Sequence, residues 1–303
     1  TAGSAGKPDL QGPNYDIRAE YGQQAGANLF HSFQQFNIHS DESATFTGPD
    51  SVQNIISRVT GGNASWIDGR LTSAISGADL FMLNPAGIMF GKNAAVDLSG
   101  SFHISTADYL RFGENERFYS TPHANDVLSV SAPAAFGFLD SDISPVTFEG
   151  GEITDPDNEN HAVIRVPDGE TVSVIGGDIE MKGVSYRRPA TDDEGNPVYE
   201  QALDEQGDPV YEPETGEDGE PLYDEDGQPV YRTDENGEQI PVYVTDENGD
   251  PVQAVETVNP PNIAAPAGQI SMIAAGSESE ADIGSPASEI GSPKSDITLS
   301  EKA

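Results

Sequence analysis

Apolar and polar residues alternate along this chain in short runs, each closed by Gly, Asn, Asp or Pro, which is the pattern of strands and turns. In "VDLSGSFHI" (96–104), Val96, Leu98, Phe102 and Ile104 share one face. The stretch "AVIRVPDGETVSVIGGDIEMKGV" repeats the theme with Val172, Val174 and Ile179, and "GQISMIAAG" does so near the end. Strands are predicted in "ATFTG", "VQNIISRVTG", "ADLFMLN", "LSVSA" and "VTFEGGEIT", with turns at Gly61-Gly62, Gly150-Gly151 and Gly176-Gly177. Helical periodicity is scarce. Many short strands fit a sandwich, a barrel or a solenoid; frequent small-residue corners with little helix between strands favour a parallel β-solenoid.

One corner stands out. "LFMLNPAGIMFG" (80–91) places four apolar residues before Asn84-Pro85-Ala86-Gly87 and another apolar run after it. Pro85 presets φ for the first corner position and Gly87 can take the positive φ of the second. Leu80–Leu83 and Ile88–Phe90 are then strands on either side of a sharp turn.

A different pattern fills residues 191–252. "DEGNPVY", "DEQGDPVY", "EDGEPLY", "DEDGQPVY", "DENGEQIPVY" and "DENGDPV" are six copies of one repeat. Asp at the first turn position and Gly at the fourth suit a type I turn followed by a Gly bulge. Proline two residues after most of these glycines is tolerated only on exposed edges. Short hairpins with Tyr199, Tyr211, Tyr223, Tyr231 and Tyr243 as cross-strand anchors are expected, against the alternative of a solvated acidic spacer.

Charge sharpens both readings. The 303 residues carry 52 acids and 14 bases, a net charge of −38. Twenty-one acids and one base (Arg232) lie in 191–252, so this segment alone carries −20. Such a field repels nucleic acid and anionic membranes and favours cations or basic partners. Cysteine is absent, which excludes disulfides and thiolate metal sites. No run approaches the roughly 18 apolar residues of a membrane span. The opening "TAGSAGKPDL" reads as an end left by processing, and "ITLSEKA" as a cut inside a longer chain.

Several segments together resemble a known family. "GANLFHSFQQFNI" (26–38), "ATFTGPDSVQNIISRVTGG" (44–62), "IDGRL" (67–71), "ADLFMLNPAGIMFG" (78–91) and "GSFHISTADYLRFG" (100–113) are similar to the N-terminal secretion domain of two-partner secretion exoproteins, the filamentous haemagglutinin type. "LSVSAPAAFGFL", "VSVIGGDIEMKG" and "APAGQISMIAAG" continue the likeness. The resemblance implies a right-handed parallel β-helix with an N-terminal cap. It also implies recognition by a dedicated outer-membrane β-barrel transporter of the TpsB type, through its periplasmic domains and barrel, and export to the surface of a Gram-negative-type bacterium. It places the secretion motif at Asn84, Pro85, Ala86, Gly87 and Ile88. Ala86 stands where the family motif has a second Asn. The family's Asn-Pro-Asn-Leu motif is missing, and its region reads "GPDSVQN". Asn28 and Leu29 lie in a matching stretch without an assigned role.

On this reading 1–303 is one secretion domain of an adhesin-like exoprotein, and 186–261 is an acidic excursion leaving and rejoining between successive coils. About 240 residues at roughly 20 to 24 per coil predict on the order of ten coils. The rest of the exoprotein would meet any cell-surface receptor.

An enzyme on the same scaffold is the rival, since parallel β-helices also degrade polysaccharides. That chemistry needs paired carboxylates in a groove or acids holding Ca²⁺ beside a base. Asp68 of "IDGR" has no such partner at coil spacing and reads as a turn acid before Gly69. His31, His39, His103, His123 and His161 lack ligand spacing, and His31 and His103 fall in strand-like stretches. Tyr109 with Phe112 reads as packing. The acidic repeats lack the spacing of an EF-hand or a calcium β-roll. No catalytic residue, metal or cofactor is assigned; a third reading makes the insert a binding module for a basic surface partner.

Overall fold

The computed structural model describes residues 8–123, 126, 128–149, 164–182, 186–192, 194, 196–216, 219–234, 237–258, 263–264, 267, 269–275, 277, 279–283 and 297–300. They form two compact units, one from 1–185 with 259–303 and the other Tyr186–Val258.

The first unit is a parallel β-helix. Three parallel sheets run along it, and each turn of the chain contributes one strand to each sheet. The first coil supplies Asn14–Arg18 and Asn28–Phe33, and reaches the third sheet as a single bridge from Ile38 to Ile67. Coil two supplies Ser43–Thr47, Asn54–Val59 and Ser65–Ile67; coil three supplies Arg70–Ser73, Asp79–Leu83 and Ile88–Phe90. Ala95–Asp97, Phe102–Ser105 and Val146–Phe148 make coil four, and Ile164–Arg165, Thr171–Gly176 and Ile179–Lys182 make coil five. Ile263–Ala264, Gln269–Ala274 and Ile297–Ser300 complete a sixth. At the N-terminal end Gln23–Ala25 folds back antiparallel on Asn28–Phe33 and covers that edge of the second sheet.

Stacking in register turns the alternation of the sequence into columns. Leu29, Ile55, Leu80, Phe102, Val172 and Ile270 lie above one another in the second sheet. The interior cluster runs the length of the helix and holds Phe46, Phe90, Phe102, Phe148, Val172, Val174 and Ile179 with almost no exposure. Val96, Leu98, Phe102 and Ile104 all enter it, but Val96 from one strand, Leu98 from the corner that follows, and Phe102 and Ile104 from the next strand, rather than from one extended face.

The described residues form six coils rather than the expected ten, because the chain spends residues outside the helix. Between Phe102–Ser105 and Val146–Phe148 it forms Tyr109–Phe112, Glu116–Tyr119 and Pro133–Phe138, which join Ser279–Asp282 in an antiparallel sheet. That sheet covers the outer side of the second parallel sheet. A second core fills the gap, with Phe30, Ile56, Phe81, Leu110, Phe112, Phe118, Phe136 and Phe138. The successive partners Asn28 and Asn54 are 26 residues apart, whereas His103 and Ser173, also stacked, are 70 apart.

The predicted strand "LSVSA" is a loop: residues 128–132 lie outside any strand, and the next strand begins at Pro133. Its carbonyls have another task, since Asn28 Nδ2 donates to Ser129 O at 2.9 Å and Ser131 O at 2.7 Å. In "VTFEGGEIT" the strand is Val146–Phe148; residues 150–154, the Gly150-Gly151 turn and His161 lie outside the described residues.

The second unit contains the hairpins, joined in an arrangement the repeats did not announce. Its ends pair antiparallel, Tyr186–Pro189 with Val255–Val258. Beyond them three chain segments at a time close a ring of backbone hydrogen bonds. Ala190 donates to Ala254, Ala254 to Val198 and Val198 to Ala190, at 2.8–2.9 Å. Four more such rings follow: Glu200 with Val252 and Val244, Ala202 with Val242 and Val210, Glu212 with Ile240 and Arg232, and Glu214 with Val230 and Leu222. Every ring residue is even-numbered. All seven prolines of 190–254 are odd-numbered, where the ring asks for no N–H.

Four of the turns between ring segments are capped by a leading Asp whose Oδ1 accepts two backbone N–H groups, while the turn at 216–219 opens with Gly216. Asp204 Oδ1 accepts from the N–H groups of Gln206 and Asp208, and Asp192, Asp224 and Asp246 accept from the corresponding pairs. The closing glycine is left-handed, as at Gly207 (φ +88°). Tyr199 meets Tyr243 at 5.6 Å and Tyr211 meets Tyr231 at 5.8 Å between ring centroids. Tyr223 pairs across the backbone with Pro229, is 63% exposed and makes no such ring contact among the described residues.

Candidate functional site: the Asn84 corner

Asn84 sits where the chain leaves the second sheet at Leu83 and enters the third at Ile88. Its side chain is fully buried. Nδ2 donates to the carbonyl of Asn63 and to Ser65 Oγ, both at 3.0 Å and both in coil two. Oδ1 accepts the Ala86 N–H at 3.0 Å, and the Asn84 carbonyl accepts the Gly87 N–H at 3.1 Å, closing the turn. One buried amide therefore uses both of its donor hydrogens and its acceptor.

The corner is tied to the coil on its other side as well. Asn84 N–H donates to Ser105 O, Ile88 N–H to Pro145 O at 3.3 Å, and Ser144 Oγ to Pro85 O at 2.7 Å. Ser105 and Pro145 flank the whole antiparallel excursion in sequence, so the corner holds the place where the chain rejoins the helix. Gly87 has φ +112°, and a Cβ there would meet Ala64 Cβ and Pro145 O at an ordinary 3.5 Å. The backbone angle, rather than lack of space, calls for glycine. Ala86 is half-buried. Its missing amide costs the turn nothing that Asn84 does not already supply.

No local motif marks Ser65, Asn63 or Ser144. Asn63 and Ser65 precede Asn84 by 21 and 19 residues, close to one coil, so coil spacing could have pointed to them. Ser144 is 59 residues from Pro85, a separation set by the excursion, and no periodicity reaches that far.

The other singled-out residues take structural places. Asp68 Oδ1 accepts the Asn93 N–H at 2.8 Å, and a Cβ on Gly91 would come within 2.2 Å of that oxygen; Asp68 locks one corner onto the next coil. His31 lies in the interior between Phe33 and Phe46, and neither ring nitrogen is bonded among the described residues. His103 stacks on Phe81 at 4.5 Å and shares a 3.0 Å hydrogen bond with Ser173 Oγ. Burial pulls the pKa of both histidines down to about 4. Tyr109 donates to Glu280 at 2.6 Å; burial first, and then that bond, push its phenol up, while the same bond holds Glu280 below the usual carboxylate range. Arg111 joins Glu280 and Asp282, tying the coil-six strand Ser279–Asp282 to the coil-four excursion.

Asn14–Arg18 ends the first sheet, and beside it lies a cavity of about 1040 Å³ lined by Tyr15, Ile17, Phe33, Phe36 and Arg58. Arg58 is held in place by Asp126 at 2.6 Å, Ser32 Oγ at 2.8 Å and the face of Phe118.

Two curated relatives are Heme/hemopexin-binding proteins of Haemophilus influenzae. One is 34% identical over 83 residues, 27% of this chain, and the other 30% identical over 87 residues, 29% of this chain. The match spans about 9% of the length of each relative. The TPS secretion domain family matches residues 5–209, which include the whole Asn84 corner and run into the acidic repeats. With that match over more than half of its length, and a parallel β-helix as its fold, the chain belongs to the TPS secretion-domain family of two-partner secretion exoproteins.

Proposed function

We propose that this domain is the part of a larger exoprotein that a cognate outer-membrane transporter of the TpsB type recognises, and that its coils nucleate β-helix folding once they emerge. The observation that carries the reading is the buried Asn84 corner, which knits coils two, three and four inside the segment matched by the secretion family. The bonds from Asn84 to Asn63 and Ser65 form as coil three docks on coil two, and those to Ser105, Ser144 and Pro145 as coil four follows, so the corner templates the next coil as export proceeds. The transporter's periplasmic domains would meet the first-coil edge at Asn14–Arg18. Pro13 O accepts from Ser43 N–H, so in a parallel ladder the N–H groups of Asn14, Asp16 and Arg18 face away from coil two, on the side where a strand can add.

We read the domain as non-catalytic. Asp68 is engaged in its corner, and His31 and His103 are buried and uncharged near neutral pH. Adhesion, or another activity of the whole exoprotein, belongs to the remainder of the chain.

The test is export of Asn84→Ala by cells carrying the transporter, paired with urea unfolding of the purified variant. Truncation strands the Asn63 carbonyl and the Ala86 N–H, at about 1 to 3 kcal/mol. A helix of this size should still fold, while secretion falls by an order of magnitude or more. Equal export of variant and wild type would sink the assignment of Asn84–Ile88 as the secretion motif.

A further inference from the structure

We propose that the acidic unit carries a strand-docking edge at Tyr199–Leu203 for an extended basic peptide segment. The argument begins with the rings. In each ring the even-numbered residues direct both their N–H and C=O groups to the two neighbouring segments. Along an extended chain, successive residues point these groups to opposite sides. The odd-numbered residues therefore turn theirs outward, and within 190–254 none of their N–H groups outside the turns donates to a backbone carbonyl among the described residues. Each segment of the unit is a strand with one satisfied side and one open side.

Most of that open side is blocked. Pro197, Pro209, Pro213, Pro221, Pro229, Pro241 and Pro251 occupy outward positions and offer no donor, a familiar guard against edge pairing. Tyr199, Gln201 and Leu203 form the longest uninterrupted run of outward N–H groups in 190–254; elsewhere a proline or a turn interrupts after one or two. Three donors with the outward carbonyls of the same three residues suffice for a short added strand.

The side chains say what such a strand would be. Leu203 is 61% exposed and Tyr199 38%, giving an apolar grip at the two ends of the run. Glu200 lies between them and Asp204 and Glu205 follow, within a segment of net charge −20. An extended peptide alternating Lys or Arg with β-formers satisfies the backbone, the charge and the tyrosine face together.

The experiment uses the full chain and a fluorescent alternating Lys-Thr peptide of about ten residues, long enough to cover this edge. Binding is followed by anisotropy at low and at physiological ionic strength, for wild type, Gln201→Pro and Gln201→Thr. All three have the same charge. Gln201→Pro removes one outward N–H at a position of the kind where the unit already accepts proline; Gln201→Thr keeps the N–H and removes the side chain. Gln201→Pro should weaken binding by about tenfold or more, and Gln201→Thr by less than about twofold. In wild type, the amides of Tyr199, Gln201 and Leu203 should gain hydrogen-exchange protection on adding peptide, while the ring amides of Glu200 and Ala202 stay as they were. Three results would each overturn the proposal: no binding by wild type, equal binding by Gln201→Pro, or binding that leaves those three amides unprotected. The second would mean attraction by charge alone.

Discussion

The two units of this chain reach order by different physical routes. In the β-helix, apolar side chains stack into two continuous cores, and Phe46, Phe90, Phe102, Phe136 and Phe148 are almost wholly removed from water. In the acidic unit no described residue of 190–254 is buried, and five rings of three backbone bonds with Asp-capped turns hold the segments together. A residue of the helix is fixed by what it touches on neighbouring coils. A residue of the acidic unit is fixed by which way its own N–H points.

The sharpest way to break that comparison is to remove one large side chain from each unit. Phe90 stacks on Phe148 at 4.8 Å and meets Phe102 edge-on. Phe90→Ala should cost about 3 to 5 kcal/mol in urea unfolding. Val242→Ala, in a ring of the half-exposed unit, should cost about 0.5 kcal/mol. Similar losses at the two sites would show a hidden core in the acidic unit.

Acid separates the units next. His31 and His103 have folded pKa values of about 4, below their unfolded value near 6.5, so the unfolded chain binds protons the helix refuses. Stability of the helix should therefore be full above pH 6.5 and fall as pH drops towards 4, by about 3 kcal/mol per histidine at the end of that window. The acidic turns behave otherwise. The backbone N–H groups of Asp250 and Asn248 lower the Asp246 pKa from 3.8, so that turn's contribution is kept above pH 3.8 and lost only as pH falls through the lower folded value. Melts monitored by Trp66 fluorescence between pH 7 and 4 should shift markedly, and the shift should shrink in His31→Phe. An unchanged melting temperature across that range would refute the desolvated state of both histidines.

Deleting 191–252 acts in the opposite direction. Tyr186–Pro189 pairs with Val255–Val258, so the ends are adjacent and a short Gly-containing turn can join them. Closing about six residues instead of some sixty should favour the folded state by about 2 kcal/mol, with further relief of like-charge repulsion at low salt. The variant should retain its β-rich circular dichroism and still be exported, while losing its affinity for basic peptides. Aggregation or early unfolding would mean that the two units share stability.

The smallest effect is a single cap. Asp246→Ala removes the acceptor for the Asn248 and Asp250 N–H groups. Hydrogen exchange should accelerate at these two amides and at Gly249, with the helix transition unmoved.

Much of this was legible along the chain. Alternation around Val172, Val174 and Ile179 marked interior positions because a stacked coil keeps one face of every strand inward. Asn-Pro-Ala-Gly marked a corner because Pro and Gly restrict φ locally. The Asp and Gly of each acidic repeat marked turns for the same local reason.

The order of residues carries the local facts: which positions alternate, where φ must turn positive, and where an Asp can cap its own turn. Which distant groups answer them follows from the folded path. Ser144 reaches Pro85 across 59 residues because an antiparallel excursion returns there, and Asn28 captures the loop carbonyls of Ser129 and Ser131 from a hundred residues away. Three segments share each ring of the acidic unit, although every repeat in isolation describes only a hairpin. Local chemistry is carried by neighbouring residues and can be read in order; a long-range partner depends on the length and path of everything between.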